Sequence, residues 1–500
     1  MPARLPTALG LLAASGLLAA CGSAAPADVS TPSASPAAVP QARVAAAALR
    51  DWPEFGLNPQ RTDVTEAATG ITASSLGRLT RRRISLPGTV DSSPIYLHGA
   101  TVAGAAHDVI VVTTTYGRTI AIDADSGRLL WTFTPSGYGS WAGSAQITTA
   151  SPVADPGRGF VYAASPNGDI HKLTLDSGAE APGWPVRVTR DPTHEKLAAA
   201  LNIDGPYVIA ATGGYLGDAP PYQGHVVLID RASGRIASIF NTLCSNRRAL
   251  IVPSTCHSSD SAILARGGAV VEPGGGRILI STGNAPWNGT SDFGDSVLEL
   301  SVPGLHLRQA FTPRNQAELN SSDTDLGSSA PALLGDGRAI VAGKDGVIRV
   351  LSLARLDGRS PSGGDSGRLG GELQRLQVPG GAELFSAPAV WQRGGRTTVF
   401  VADESGTAAY VLRRGVLFRA WQNGNAGTSP VMAGGLLYVY DLQAGGIYVY
   451  RPGSPRPVAK LPGLPGHWNS PIVVAGHVIE PEGNANDHAE SGTLDILSAG

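Results

Sequence analysis

The strongest constraint in this chain is a short step of small residues and proline that keeps returning ahead of an apolar run. It stands at Pro94, Pro152, Pro206, Pro331, Pro388, Pro430 and Pro471, and Ala269 in RGGAVV holds the matching place between Pro206 and Pro331. Consecutive positions lie 58, 54, 63, 62, 57, 42 and 41 residues apart, the length of a unit that packs against copies of itself. Each step opens a strand, and further strand-like runs follow, divided by glycine turns. In the first unit VIVVTTT (109–115) is β-branched, Tyr116-Gly117 turns it, and TIAIDA alternates apolar and polar side chains. Asp125-Ser126-Gly127 then turns the chain again, and RLLWTF carries Trp131 inward. Strands linked in this way make a four-stranded antiparallel blade. Segments 161–178, 225–240, 339–353 and 436–450 repeat the grammar.

Eight such units predict an all-β fold, an eight-bladed β-propeller, with seven blades as the alternative. The last unit has strands in PIVVAG, HVIEP and GTLDILS and lacks a fourth, whereas LTRRRISL (79–86) is one strand too many before the first blade. Pairing the surplus strand with the last blade closes the ring and hides both sheet edges. On such a strand, alternation is expected to expose Arg81 and Arg83 as edge charges against aggregation.

Composition narrows the function. Charged residues make up 16% and the net charge is −2, so the excess of Lys and Arg that a nucleic-acid binder needs is missing. Apolar residues make up 42% and glycines number 64, which suits a large core built from short strands and tight turns. No Gly-x-Ser-x-Gly elbow, P-loop or metalloprotease helix motif is present.

The first twenty residues read as a signal peptide, with Arg4 in a positive n-region and an apolar stretch from Leu9 to Ala20 too short for an ordinary span. Leu18, Ala19, Ala20 and Cys21 resemble the lipobox of bacterial lipoproteins, which implies lipidation at Cys21 and an exported protein held to the cell envelope by its lipid alone. Residues 21–48 are Ala, Pro and Ser with almost no charge, a composition expected to stay a disordered tether. Residues 49–500 are expected to be one domain. With Cys21 on lipid, Cys244 and Cys256 remain as an even pair in an oxidising compartment. A disulfide between them would contribute about 2–4 kcal/mol.

TYGRTIAIDADSGRLLW (115–131) is similar to the pyrroloquinoline-quinone (PQQ) repeat, in which a closing Trp packs between blades. The resemblance covers nearly all of 52–500. Such blades serve PQQ-dependent dehydrogenases and cofactor-free binding propellers alike, among them an assembly factor for outer-membrane proteins. STGNAPWNG (281–289), followed by GDS (294–296), is similar to a dehydrogenase segment whose first Asn binds calcium beside the quinone. The resemblance puts that role on Asn284, with Trp287 next to it. It puts the catalytic base and second calcium ligand on Asp323, with Asp325 as the neighbouring candidate. There the ion would polarise the quinone while the carboxylate removes the alcohol proton.

Three parts of the enzyme pattern are missing. GGYLG puts Tyr215 where the dehydrogenases carry a calcium-binding Glu, no aromatic residue lies between Gly267 and Gly283 to stack the quinone, and no two cysteines are adjacent. The expectation is therefore a non-catalytic binding or scaffold propeller, monomeric, needing no cofactor, that holds a protein or small ligand at its funnel or top loops. A PQQ- and calcium-dependent dehydrogenase of an alcohol or sugar is the alternative, and an outer-membrane assembly factor is another. A second polar cluster, His467 to Asn469 with Glu482, Asn484, Asn486, Asp487 and His488, is ordinary loop chemistry in this reading.

Overall fold

The computed structural model describes residues 50–358 and 368–499. The expected signal peptide, Cys21 and the expected tether lie outside the described residues. Among the described residues eight blade sheets follow one another along the chain, beside one separate two-stranded ribbon. Blade 1 runs through Ile95–Val102, Ala105–Thr113, Thr119–Asp123 and Leu129–Phe133. Each of blades 2 to 7 repeats this up-and-down order, with first strands at Val153–Ala154, Asn202–Asp204, Val270–Val271, Ala332–Leu333, Ala389–Arg393 and Val431–Ala433. The first strands of neighbouring blades touch, as those of blades 3 and 4, 5 and 6, 6 and 7, and 7 and 8 do, so they line the axis and the fourth strands form the rim.

Blade 8 takes three strands from the C-terminal part, Ile472–Val474, His477–Pro481 and Gly492–Ser498, and its fourth from Thr80–Leu86. The pairing runs from Thr80 opposite Ser498 to Leu86 opposite Gly492. This is the closure that the surplus strand predicted. The side chains of Arg81 and Arg83 do not serve as free edge charges, however. Both turn onto the buried carboxylates of Asp495 and Glu482, with side-chain exposures of 29% and 39%. A single face of the closing strand is thereby clamped to blade 8.

The small-residue step has a packing cause. Eight chains converge on the axis where the first strands begin, and a methyl group on Gly267 would stand 2.9 Å from Ala330. Serines of the step link one blade to the next. Ser93 N–H donates to Ser151 Oγ, Ser329 Oγ donates to Ser386 O, and Ala387 N–H donates to Ser429 Oγ. Trp131 packs between blades as expected, its indole N–H donating to Leu175 O of blade 2 at 2.8 Å. Pro206 departs from the expectation, since it follows the first strand of blade 3 and sits in the turn before Tyr207–Ala211. There the step is filled by Ala198, Ala199 and Ala200, which meet the crowding at the axis without proline.

A feature with no counterpart among the repeats closes one end of the ring. Residues 52–69 run across the turns that end the first strands. Backbone bonds tie Trp52 to Tyr96 of blade 1, Pro53 to Ala154 of blade 2, Pro59 to Val271 of blade 4, Thr62 to Val390 of blade 6 and Thr69 to Gly476 of blade 8. Val64–Thr65 adds a parallel strand beside Val431–Ala433. Phe55 packs on Ala200 and Ala387 at the axis. Arg61, 2% exposed, donates to Glu54, Phe55 O, Leu201 O and Gly267 O. This strap stoppers its face of the channel.

Candidate functional site

The opposite face is the funnel, formed by the connections leading into the first strands and by the turns between second and third strands. Four side chains from four such connections meet there. Asp91 precedes blade 1, Lys196 precedes blade 3, Arg266 precedes blade 4 and His467 precedes blade 8. Arg266 Nη2 lies 2.9 Å from Asp91 Oδ1, Arg266 Nη1 donates to Asp91 O at 2.6 Å, and His467 Nδ1 lies 2.7 Å from Asp91 Oδ2. Ala485 N–H donates to the same carboxylate at 3.0 Å. Blades 4 and 8 are opposite in a ring of eight, so the guanidinium spans the axis. Burial would raise the Asp91 carboxyl, but the Arg266 guanidinium and His467 outweigh it and hold it down to about 2.

Lys196 sits on a two-stranded ribbon in which Glu195–Lys196 pairs with Gly213–Gly214. Its neighbour Glu195 is fully buried and committed, with His225 Nε2 2.9 Å away and Gln223 N–H and Thr189 Oγ1 donating to it. Lys196 itself is part-buried, and among the described residues no group bonds its ammonium. Burial and the Arg266 charge push the ammonium down to about 8. A cation in that state has room for an acceptor.

The residues singled out by resemblance lie on the same face. Asn284 and Trp287 belong to the turn between the second and third strands of blade 4, and Asp323 and Asp325 to the connection into blade 5. Asn284 meets Asp325, not Asp323. Asn284 N–H donates to Asp325 Oδ1 at 2.8 Å, and its side-chain amide, with the NH2 toward the carboxylate, donates there too. Lys344 Nζ lies 2.6 Å from Asp325 Oδ2. Asp323 is 61% exposed at its side chain and reaches the same ammonium from outside, at 3.2 Å. Its left-handed backbone, φ 53°, turns it away from the axis. Trp287 is part-buried and packs on the apolar cluster shared by blades 3 and 4.

This arrangement does not fit a calcium-bound quinone. Calcium takes six to eight oxygen ligands. Here Asn284 and Asp325 bond each other, and Asp325 is matched by Lys344. Tyr215, at the place of the missing Glu, gives its hydroxyl to Pro192 O at 2.8 Å. The next carboxyl, Asp295, accepts from Leu326 N–H and is pushed up to about 8 by burial, which leaves it uncharged at neutral pH.

Cys244 and Cys256 form a disulfide, with Cα atoms 6.1 Å apart. Of the last-blade cluster, His467 joins the funnel bridge, Glu482 receives the closing-strand arginines, and Asn484 caps a turn through Asn486 N–H. The funnel residues Asp91, Lys196, Arg266 and Lys344 were not singled out from the sequence. One signal was available, because Lys172, Lys196, Lys344 and Lys460 are the four lysines of the chain, and a lysine in a propeller connection stands out against that scarcity.

Ring closure, four-stranded blades and the interblade tryptophan together define a β-propeller of eight blades. A family model described as outer membrane protein assembly factor BamB matches residues 63–248. Quinohemoprotein alcohol dehydrogenase ADH-IIG of Pseudomonas putida is 26% identical over 245 residues, 48% of this chain and 32% of that protein. The chain thus spans about a third of that relative's length. Among solved structures, the quinohemoprotein alcohol dehydrogenase of Comamonas testosteroni is similar with a TM-score of 0.64 and 13% identity, over 92% of this chain and 84% of that one. BamB of Moraxella catarrhalis is similar with a TM-score of 0.51 and 13% identity, over 84% and 99%. The chain is an eight-bladed β-propeller, and over residues 63–248 it is similar to the PQQ-repeat family.

Proposed function

We propose that this chain is an exported, envelope-anchored binding propeller that works without PQQ and takes a carboxylate-bearing ligand at the funnel mouth. The observation that carries this reading is the Lys196 ammonium, which no group bonds among the described residues, beside the Arg266–Asp91–His467 bridge. A bridge that already fills the axis leaves Lys196 as the position where an incoming anion gains a charge-assisted hydrogen bond. The anchor rests on the LAAC segment at Cys21. Dehydrogenase chemistry is the second reading, favoured by the likeness in sequence to the quinohemoprotein alcohol dehydrogenase of Pseudomonas putida.

One set of measurements separates the two. Purified protein is titrated with PQQ and calcium while tryptophan emission and dye reduction with alcohols and sugars are followed. The binding reading expects neither quenching nor turnover. Saturable quenching with turnover that Asp325→Asn abolishes would establish the dehydrogenase instead. In parallel, succinate and citrate are expected to raise the melting temperature of the wild type and not of Lys196→Gln. Equal shifts in both proteins would overturn the assignment of Lys196.

A further inference from the structure

The connection that leaves blade 3 carries a second set of reactive side chains. Cys244 is buried, Cys256 is part-buried and the adjacent His257 is exposed. His257 Nδ1 lies 3.4 Å from Cys244 Sγ and 4.0 Å from Cys256 Sγ. Its Nε2 lies 3.1 Å from Asp292 Oδ2. Asp292 comes from another blade, in the turn that also holds Asn284, and is 2% exposed. Its other oxygen accepts the Cys244 backbone N–H at 3.0 Å. A carboxylate can only accept, so Nε2 bears the hydrogen and Nδ1 is the nitrogen that faces the sulfurs.

This is the order sulfur, imidazole, carboxylate in which a base oriented by a third group activates a cysteine. A cross-link that served only to tie down a twelve-residue span would need neither the imidazole nor the carboxylate. The two sulfurs are also unequal. Cys256 is the more accessible, and Cys244 is the one closest to the imidazole. A leaving thiol of lower pKa departs faster, and a neighbouring imidazolium lowers a thiol's pKa.

We propose that the Cys244–Cys256 disulfide is a thiol–disulfide exchange site, opened by an external thiolate that attacks Cys256 and expels Cys244. The new bond joins the incoming sulfur to Cys256 Sγ. The Cys244–Cys256 bond breaks, its electron pair stays on Cys244 Sγ, and the proton that the incoming thiol lost on becoming a thiolate reaches that sulfur through His257 Nδ1, 3.4 Å away. A second thiol of the same donor then attacks the mixed disulfide, leaving both cysteines reduced and the donor oxidised to its disulfide. The substrate class is a small thiol or the cysteine of a redox partner.

The consequence reaches the funnel face. Ser245 N–H donates to Ser291 O at 2.9 Å, Phe293 N–H to Thr242 O at 3.0 Å, and Ser261 N–H to Asn284 O at 2.9 Å. The cross-linked loop therefore backs the turn that carries Asn284, and opening it loosens that turn. The other charged groups on the packed elements are Arg247, held by Thr255 O and Oγ1, Arg248, held by Gly304 O, and Asp260, which lies near Tyr222 and Asp218.

The test uses the whole purified protein. It is reduced with a phosphine, freed of reductant without air, and its thiolate absorbance at 240 nm is followed against pH. One thiol is expected to titrate at or below about pH 7 and the other near the ordinary value of about 8.5. His257→Gln and Asp292→Asn are expected to return the first to the ordinary range. Oxidised protein is also treated with glutathione, trapped with iodoacetamide and mapped by mass. Glutathione is expected on Cys256 and the alkyl group on Cys244, with exchange several-fold slower in His257→Gln. Two ordinary thiols in the wild type, glutathione on Cys244, or an unchanged rate in the variant would each overturn the proposal. If the variants fail to fold, the wild-type titration and the position of glutathione decide it.

Discussion

Arg266 Nη2 stands 2.9 Å from Asp91 Oδ1, an ion pair that joins the start of blade 4 to the start of blade 1 across the funnel. The Asp91 side chain is fully buried and that of Arg266 is 11% exposed. Removing one charge of such a pair leaves the other buried without compensation, at a cost of about 3–5 kcal/mol. Asp91→Asn is expected to lose that much stability at neutral pH in denaturant titrations. Asp91 is held below its ordinary value, to about 2, so its contribution is complete above about pH 4 and fades as pH falls toward the folded value. The gap between variant and wild type should therefore narrow by about 2 kcal/mol in that acid window. A gap independent of pH would mean that shape, not charge, holds the bridge.

Lys196 should be the most reactive lysine. Its ammonium is pushed down to about 8, whereas Lys344 is raised by Asp325 despite burial and Lys460 is raised by Asp441. Free amine is the acylating form, and it is most abundant where the pKa is lowest. Limiting acetic anhydride near neutral pH is expected to label Lys196 first, and succinate is expected to protect it. Labelling led by exposed Lys460 would show that Lys196 is shielded from the funnel.

The closing strand gives a third expectation. Arg81 and Arg83 are the cations that face the buried carboxylates of Glu482 and Asp495 from the neighbouring strand. Their partial exposure reduces what each pair contributes, so Arg81→Ala with Arg83→Ala is expected to cost about 1–3 kcal/mol. The loss should be local. Hydrogen exchange at the amides of Gly492–Ser498, which pair with Thr80–Leu86, should speed up more than exchange in blade 4. A uniform change around the ring would argue against a closure clamp.

What the sequence made legible follows from period. Strands, turns and the interblade Trp131 recur at blade spacing, and the surplus strand at 79–86 had a vacancy to fill. The strap at 52–69 had no copy to compare with, so its crossing of the ring stayed invisible. Pro206 misled because crowding at the axis asks for small residues, which Ala198 to Ala200 supply, and not for proline. In the site, residue type pointed to Asn284 and to both Asp323 and Asp325, but the choice between the carboxylates lies in one left-handed residue at 323. Asp91, Arg266 and His467 stand 175 and 201 residues apart along the chain, and only closure of the ring brings them together.

Glu480 supplies the last prediction. It is 2% exposed, and among the described residues neither carboxyl oxygen has a hydrogen-bond partner. Burial, with Glu482 and Asp495 nearby, raises its carboxyl well above the ordinary value. The folded chain thus keeps a proton that the unfolded chain gives up above about pH 4.3. Stability from this group is present below that pH and is lost as pH rises through the folded value. Glu480→Gln removes the ionisation while keeping the shape, so its melting temperature should match the wild type near pH 5 and exceed it in mildly alkaline buffer. Asp495, raised to about 7 by burial, adds a slope of the same sign in both proteins. A variant that melts lower than the wild type at alkaline pH would mean that Glu480 is a paired charge after all.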